Sequence, residues 1–261
     1  FFILSQGRRL RILSKRRRIT VINYVEVDNN FIWNIEQYNC KEQFITVLLR
    51  TWSMNPMGSA RVGVNSLLQM LSLSEDKKNK ASLKETLVAM EKKGMIIIFE
   101  DFIKMNQIQA EDMKYANDYF IEVSDVSDAK TIFGENGEGK AKNNFTKISF
   151  DVMMKLVAMN ERNKSIAFSV YFNIVHWIWE GISNWRVSNP TIKKLVEATG
   201  LDKKTITKYV KVLMENELIY FETIREEYDK EKNYYCKWEY KEYFKEDVKA
   251  LQDYYKEKGG K

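Results

Sequence analysis

The chain repeats one pattern of residues, and this internal duplication limits its possible folds more than any other feature. The pair Arg186-Val187 lies 125 residues after Arg61-Val62, and apolar residues at helical spacing follow each pair. At an offset of 123, apolar residues of the first copy match those of the second: Leu83, Leu87, Met90, Met95 and Ile96 match Ile206, Val210, Leu213, Leu218 and Ile219. Each copy therefore predicts one order of elements: a strand, three helices, a turn, a fourth helix and two strands.

The duplication divides the chain into two predicted domains, a linker and two terminal segments. The domains are residues 21–123 and 145–240, the linker is the polar stretch 124–144, and the ends are a basic arm at 1–20 and an amphipathic helix at 241–261. The linker contains a near match to a phosphate-binding loop, but Ala141 stands where that loop requires the Ser or Thr that holds Mg²⁺. We therefore expect a flexible joint between two units that fold independently.

The scarcity of cysteine and histidine excludes several kinds of functional site. Cys40 and Cys236 are far apart in sequence, which fits a reduced, cytoplasmic protein rather than a disulfide framework. Because His176 is the single histidine, the chain cannot supply a structural zinc site, and we expect His176 to serve in packing or at the surface. No set of residues with the pattern of a catalytic site remains, so we expect no enzymatic activity, cofactor or metal.

No apolar run reaches the roughly 18–20 residues of a membrane span, which predicts a soluble protein without a membrane partner.

The positive charge is concentrated at the N-terminus. The chain has 42 Lys+Arg against 36 Asp+Glu, a formal net charge of +6, but residues 1–20 alone carry seven basic side chains and no acid. The rest of the chain therefore sums to −1, and overall basicity does not argue for a nucleic-acid partner. Arg16, Arg17 and Arg18 are candidates for DNA contacts in an arm that lies along phosphates or in a minor groove. The alternative is that this segment is a processing remnant or precedes the natural start.

The second copy carries the local signals of a helix-turn-helix followed by a hairpin. Asn189-Pro190 predicts a helix start, and Gly200 predicts a left-handed turn at the end of that helix. Asp202 predicts the N-cap of a second helix at residues 203–215. Alternating segments at 218–228 and 233–240 then predict two strands.

These signals also carry a family resemblance. The second copy resembles the core signature of bacterial winged-helix DNA-binding domains in Thr199-Gly200-Leu201-Asp202-Lys203-Lys204-Thr205-Ile206 and Glu217-Leu218-Ile219. The first copy carries the pattern more loosely and ends in Met90-Glu91-Lys92-Lys93-Gly94-Met95-Ile96. Two such domains in one chain resemble the tandem winged-helix replication initiators of plasmids and phages in low-G+C Gram-positive bacteria. The resemblance covers roughly residues 21–240.

The resemblance implies both a fold and a function. The fold is mainly α with small β-hairpins (α+β), arranged as two tandem winged helix-turn-helix domains. The function is sequence-specific binding of double-stranded DNA, first as a replication initiator at an origin, with a helicase or its loader as a further partner. Two alternatives stay open: a transcriptional repressor that dimerises on a palindrome, and a protein-interaction adaptor, which the −1 charge of residues 21–261 favours.

The exposed side of the second predicted recognition helix supplies the main candidates for DNA contact. Lysines there can neutralise phosphates, and threonine hydroxyls can reach base edges or phosphates. The candidates of the second domain are Lys193, Lys194, Lys203, Lys204, Thr205, Thr207, Lys208 and Lys211. Those of the first domain are Lys78, Lys80, Ser82 and Lys84.

The C-terminal segment predicts an amphipathic helix. One face of this helix collects Tyr240, Phe244, Val248, Leu251 and Tyr255. We expect that face to pack back on the second domain, and a dimer contact is the alternative.

Overall fold

The computed structural model of the protein describes residues 24–55, 58–124, 145–178, 185–225 and 231–259. In these ranges the fold is α+β, with helices joined to small antiparallel sheets. The predicted arm at 1–20 and the predicted linker, apart from its first residue, lie outside the described residues.

Two halves of the chain share one order of elements, except that the first half has one additional strand, β4. The first contains β1 (Tyr24–Asp28), α1 (Asn29–Trp33), α2 (Cys40–Trp52), β2 (Ala60–Val62), α3 (Val64–Met70), α4 (Lys77–Lys92), β3 (Ile96–Phe99), β4 (Gln107–Ile108) and β5 (Tyr119–Val123). The second contains β6 (Phe145–Ser149), α5 (Phe150–Ala158), α6 (Lys164–Val175), β7 (Val187–Ser188), α7 (Ile192–Thr199), α8 (Lys203–Glu215), β8 (Ile219–Arg225) and β9 (Glu231–Lys237). A last helix, α9 (Phe244–Gly259), follows the second half.

The sheets of the two halves have matching strand orders. The first half has the order β2-β5-β3-β4 and the second has β7-β9-β8, so in each the strand between the second and third helices pairs with the last strand. The sequence pattern predicts neither β2 nor β7, because strands of three and two residues are too short for alternation to be detected. Strands β2 and β7 thus each extend the sheet of their half by one strand.

Side-chain caps and a left-handed turn determine where the main helices begin and end. The Asp202 carboxylate accepts a hydrogen bond from the Thr205 amide at 2.9 Å, which confirms the predicted start of α8. Asp76 begins α4 in the same way, through the Asn79 amide at 2.8 Å. Gly200 has a φ of +67°, so the predicted left-handed turn between α7 and α8 is also confirmed.

The predicted start of α7 is wrong by two residues. The N-cap is Thr191, whose hydroxyl oxygen accepts from the Lys194 amide at 3.2 Å, rather than Asn189 ahead of Pro190. Ser188 still pairs with β9. Residues 189 and 190 connect the end of β7 to Thr191, and the helix begins where the Thr191 hydroxyl supplies an acceptor for a free amide.

The two halves are related by an approximate two-fold axis. Strand β1 pairs antiparallel with β6, and the central pair, Glu26 opposite Lys147, joins corresponding positions of the two halves. Exchanging the halves maps this ladder onto itself. The same relation holds where α2 packs on α6, since the rings of Phe44 and Phe168, again corresponding positions, lie 5.5 Å apart.

One apolar core runs through both halves. Phe44 and Leu48 of α2 and Phe168 and Phe172 of α6 are each at most 1% exposed. The turn at Gly200 also meets the first half, because a Cβ there would lie 3.1 Å from Ile35 Cδ1. Separation of the halves would expose this surface, so the shared core argues against independent folding. The domain boundaries predicted at residues 123 and 145 stay a prediction.

The single histidine lies between the halves. The His176 ring is 5.2 Å from the Trp33 ring of α1 and 4.7 Å from that of Trp177. Its Nδ1 lies 3.2 Å from the Phe172 carbonyl oxygen, and its buried Nε2 has no hydrogen-bond partner among the described residues. Burial lowers the pKa of His176 to about 4, although the bond to Phe172 opposes that shift. The neutral imidazole is therefore part of the packing, as one of the two sequence expectations states.

Replacing His176 with Phe should remove part of the acid sensitivity of the fold. Below the unfolded pKa of about 6.5, the unfolded chain binds a proton that the folded state refuses until about pH 4. The free energy of unfolding therefore falls as the pH drops through this window, by about 2 kcal/mol between pH 7 and pH 5. Urea unfolding at both pH values should show this extra loss in the parent and not in His176→Phe. Equal losses in the two proteins would contradict the prediction.

The C-terminal helix packs on the sheet of the second half. Phe244, Val248 and Leu251 are at most 4% exposed and join Tyr234 and Cys236 of β9 in a second apolar cluster. The expected packing of α9 on the second half is therefore confirmed.

Two features of α9 were not predicted from its apolar pattern, namely the exposure of Tyr255 and the ion pair of Asp247. Tyr255 departs from the predicted buried face, since it is 52% exposed. Asp247 anchors α9 by accepting from the Arg186 guanidinium at 2.9 Å.

Candidate nucleic-acid interface

Helix α8 separates its buried and exposed residues as the sequence predicts. Ile206, Val210 and Leu213 are at most 3% exposed and face the core, together with Tyr209, which the apolar pattern had left out. The exposed residues of α8 are Lys203, Lys204, Thr207, Lys208, Lys211 and, at its C-terminal end, Glu215. The exposed side of α8 therefore carries four ammonium groups over three turns of helix.

The two candidate hydroxyls are engaged within the helix itself. Thr205 donates its hydroxyl to the Asp202 carboxylate at 2.7 Å, and Thr207 donates to the Lys203 carbonyl oxygen at 2.8 Å. The bond from Thr205 is the first of several that lower the pKa of Asp202. Thr205 is therefore part of the N-terminal cap, whereas the exposed oxygen of Thr207 keeps lone pairs that face outward.

Lys208 is held by a carboxylate that the sequence analysis missed. Glu161, in the loop before α6, accepts from Lys208 Nζ at 3.0 Å and from the Tyr209 hydroxyl at 3.3 Å. This hydrogen bond raises the pKa of Lys208. Partial burial would raise the pKa of Glu161, but the bonds from Lys208, the Asn163 amide and Tyr209 outweigh it and lower that pKa. A loop residue 47 positions before Lys208 gives no sequence signal for such a contact.

The lysines of α7 extend the basic surface beyond α8. Lys193 and Glu197 form an exposed pair at 3.9 Å, and Lys194 Nζ lies 5.3 Å from the centre of the Trp177 ring. Because α7 packs against α8, the structure brings the candidates of the second half together on two adjoining helices.

The candidates of the first half are partly committed to contacts within that half. Lys80 pairs with Glu75 at 3.6 Å, and the Ser82 hydroxyl accepts from Lys41 Nζ at 3.2 Å. Lys84 donates to the Met113 carbonyl oxygen at 2.9 Å and lies over the Tyr115 ring. Lys78 is exposed in the first turn of α4. Among the predicted candidates, the first half therefore offers fewer available cations than the second.

The loop before α6 lies between the start of α4 and the middle of α8. A groove of about 360 Å³ has the turn before α4 on one side and the loop before α6 on the other. That second loop also holds Lys208 through Glu161. Arg162 is exposed in this groove and is a further cation that the sequence analysis missed. The start of α4 and the middle of α8 thus flank one loop.

Arg16, Arg17 and Arg18 lie outside the described residues. Within the described ranges, no group of three or more His, Cys, Asp or Glu side chains is placed to hold a metal ion. In the same part of the chain, no helix has both the length and the apolar character needed to cross a membrane.

Comparison with protein families, curated proteins and solved structures finds no match.

Proposed function

We propose that this protein binds double-stranded DNA through two tandem winged helix-turn-helix units, with α8 as the main recognition helix. The observation that carries the proposal is the row of exposed lysines on a helix whose opposite side is held in the core. A recognition helix presents its N-terminal residues to base edges and phosphates. On α8 those residues are Lys203 and Lys204.

The approximate two-fold axis supports a binding mode in which one chain carries two recognition helices. Helices α4 and α8 hold corresponding places in the two halves and flank the loop with Arg162. Two recognition helices on one body typically bind half-sites that are about one helical turn of DNA apart. The minor groove between the half-sites would then face the loop, where an Arg is well suited to bind.

The biological role rests on the sequence resemblance and on this symmetry. The resemblance favours a cytoplasmic replication initiator at a plasmid or phage origin, with a helicase or its loader as partner. A transcriptional repressor is the second candidate. The two-fold relation of the halves favours it, because inverted half-sites have the same symmetry.

Replacing Glu161 with Gln should strengthen DNA binding. The amide keeps the size and an acceptor for the Tyr209 hydroxyl, removes a negative charge from the binding surface and releases Lys208 for a phosphate. The plot of log affinity against log salt should become steeper by about one unit. Fluorescence anisotropy of a labelled duplex, measured at several salt concentrations, gives both affinity and slope.

The matched control for this substitution is Glu246→Gln on α9, which removes an equal charge from an exposed position away from α8. It should leave the slope unchanged. Failure of the parent protein to bind any duplex, or equal effects of the two substitutions, would refute α8 as the DNA-binding surface.

A further inference from the structure

Two contacts hold the loop before α6, residues 159–163, in one conformation. Lys164 is only 2% exposed, and its Nζ donates to the Met159 carbonyl oxygen at the other end of the loop. In the middle of the loop, Glu161 is paired with Lys208 of α8. Because a buried ammonium group is costly without a partner, the bond from Lys164 keeps the loop closed. The loop is therefore ordered before any ligand binds.

The groove beside this loop contains one charged side chain without a partner. Its charged lining residues are Asp76, Glu161 and Arg162. The Asp76 carboxylate accepts from the Asn79 amide at 2.8 Å and lies at the positive end of the α4 dipole, and Glu161 is paired with Lys208 at 3.0 Å. Arg162 is exposed, and its guanidinium makes no hydrogen bond or ion pair with the residues that the structure describes. Its charge is therefore available to a ligand.

The groove lies where the proposed function places the middle of the DNA site. It has the start of α4 on one side, and its loop reaches the middle of α8 on the other. When two recognition helices bind half-sites one helical turn apart, the base pairs midway between them turn their minor groove toward the protein. The polar lining residues that carry no charge, Ser72, Ser74, Asn79 and Asn160, do not repel phosphates.

The corresponding loop of the first half has no such cation. It spans residues 34–39 and lies beside the turn before α8, since a Cβ on Gly200 would be 3.1 Å from Ile35 Cδ1. The single charged residue of this loop is Glu36, which is exposed and would be repelled by phosphates. Of the two loops, only the one with Arg162 therefore suits a minor groove.

We propose that Arg162 inserts into the minor groove at the centre of the bound DNA and makes the protein prefer A·T base pairs there. Runs of A·T pairs narrow the minor groove and strengthen its negative potential, which attracts an arginine. A G·C pair instead places the N2 amino group of guanine in that groove. The preference rests on the proposed function, which positions the DNA, and concerns base pairs that neither recognition helix touches.

Selection of bound duplexes from a pool with a long randomised stretch tests this preference. Duplexes selected by the parent should be enriched in A·T pairs midway between two recurring half-sites. Arg162→Ala should select the same half-sites without the central enrichment, and circular dichroism verifies that the exposed substitution leaves the fold intact. The matched control is Lys245→Ala, which removes an equal charge from an exposed position on α9 and should keep the enrichment.

Substitutions at the centre of a selected duplex assign the preference to the minor groove. Central G·C pairs should weaken binding by the parent about tenfold. Inosine·C pairs should restore it, because inosine lacks the N2 amino group while its major-groove edge matches that of guanine. Arg162→Ala should bind the three duplexes equally well.

The outcomes separate this proposal from the proposed function. A parent that binds no duplex would refute both. Binding that depends on Lys203 and Lys204 but is equally strong for the three central sequences would overturn only the role of Arg162. An A·T preference that persists in Arg162→Ala would overturn it as well, since another group would then be responsible.

Discussion

Replacing Phe168 with Ala should lower the free energy of unfolding by about 3–5 kcal/mol. The Phe168 side chain is fully buried in α6 and faces Phe44 of α2 across the approximate two-fold axis. Its loss would leave a cavity at the place where the two halves meet. Because both halves share this core, urea unfolding followed by circular dichroism should show one transition for the whole chain, shifted as a unit to lower urea.

The control for this substitution is Tyr255→Ala, which removes an aromatic ring that is 52% exposed and should have a much smaller effect. The contrary outcome is unfolding in two separate transitions, of which Phe168→Ala shifts only one. That result would restore the view of two units joined by a flexible linker, and the pairing of β1 with β6 would then contribute little to stability.

Replacing Lys203 and Lys204 together with Ala should weaken duplex binding strongly at low salt. The salt slope should fall by about two units, since each lysine that neutralises a phosphate contributes about one. Both side chains are exposed in the first turn of α8, and alanine preserves the helix together with the Lys203 carbonyl that accepts from Thr207. Fluorescence anisotropy at several salt concentrations measures the slope.

A matched control is available on α9, where Lys245→Ala/Lys249→Ala removes the same charge from an exposed helix face. General attraction between a basic protein and DNA would make the two double variants weaken binding equally. Specific contact through α8 requires that Lys203→Ala/Lys204→Ala lose far more. Parent-like binding by that variant would favour the adaptor hypothesis.

Local signals in the sequence predicted much of the second half correctly. The cap at Asp202, the left-handed turn at Gly200 and the spacing of Ile206, Val210 and Leu213 all depend on residues within a few positions of one another. Such features are decided by hydrogen bonds and backbone sterics that act along the chain, so they can be recognised without the tertiary structure.

Contacts between distant segments were beyond the reach of the same reasoning. The Glu161 carboxylate meets Lys208, and β1 pairs with β6, although no pattern near these residues indicates it. The prediction of independent units came from the duplication and from the polar composition of residues 124–144, and neither reveals which surfaces of the two copies pack together. The start of α7 was placed too early because two residues near it, Asn189 and Thr191, can each cap a helix, and in the structure it is Thr191 that does so.

The sequence by itself determined the duplication, the order of the main helices and strands and the exposed lysine row of α8, since these follow from spacing and short-range hydrogen bonding. Only the tertiary structure decided that Phe44 meets Phe168 at an approximate two-fold axis and that Glu161 neutralises Lys208. The physical reason is that burial and ion pairing depend on distance in space. That distance is set by how two amphipathic surfaces pack, and many packings are compatible with one pattern of apolar residues.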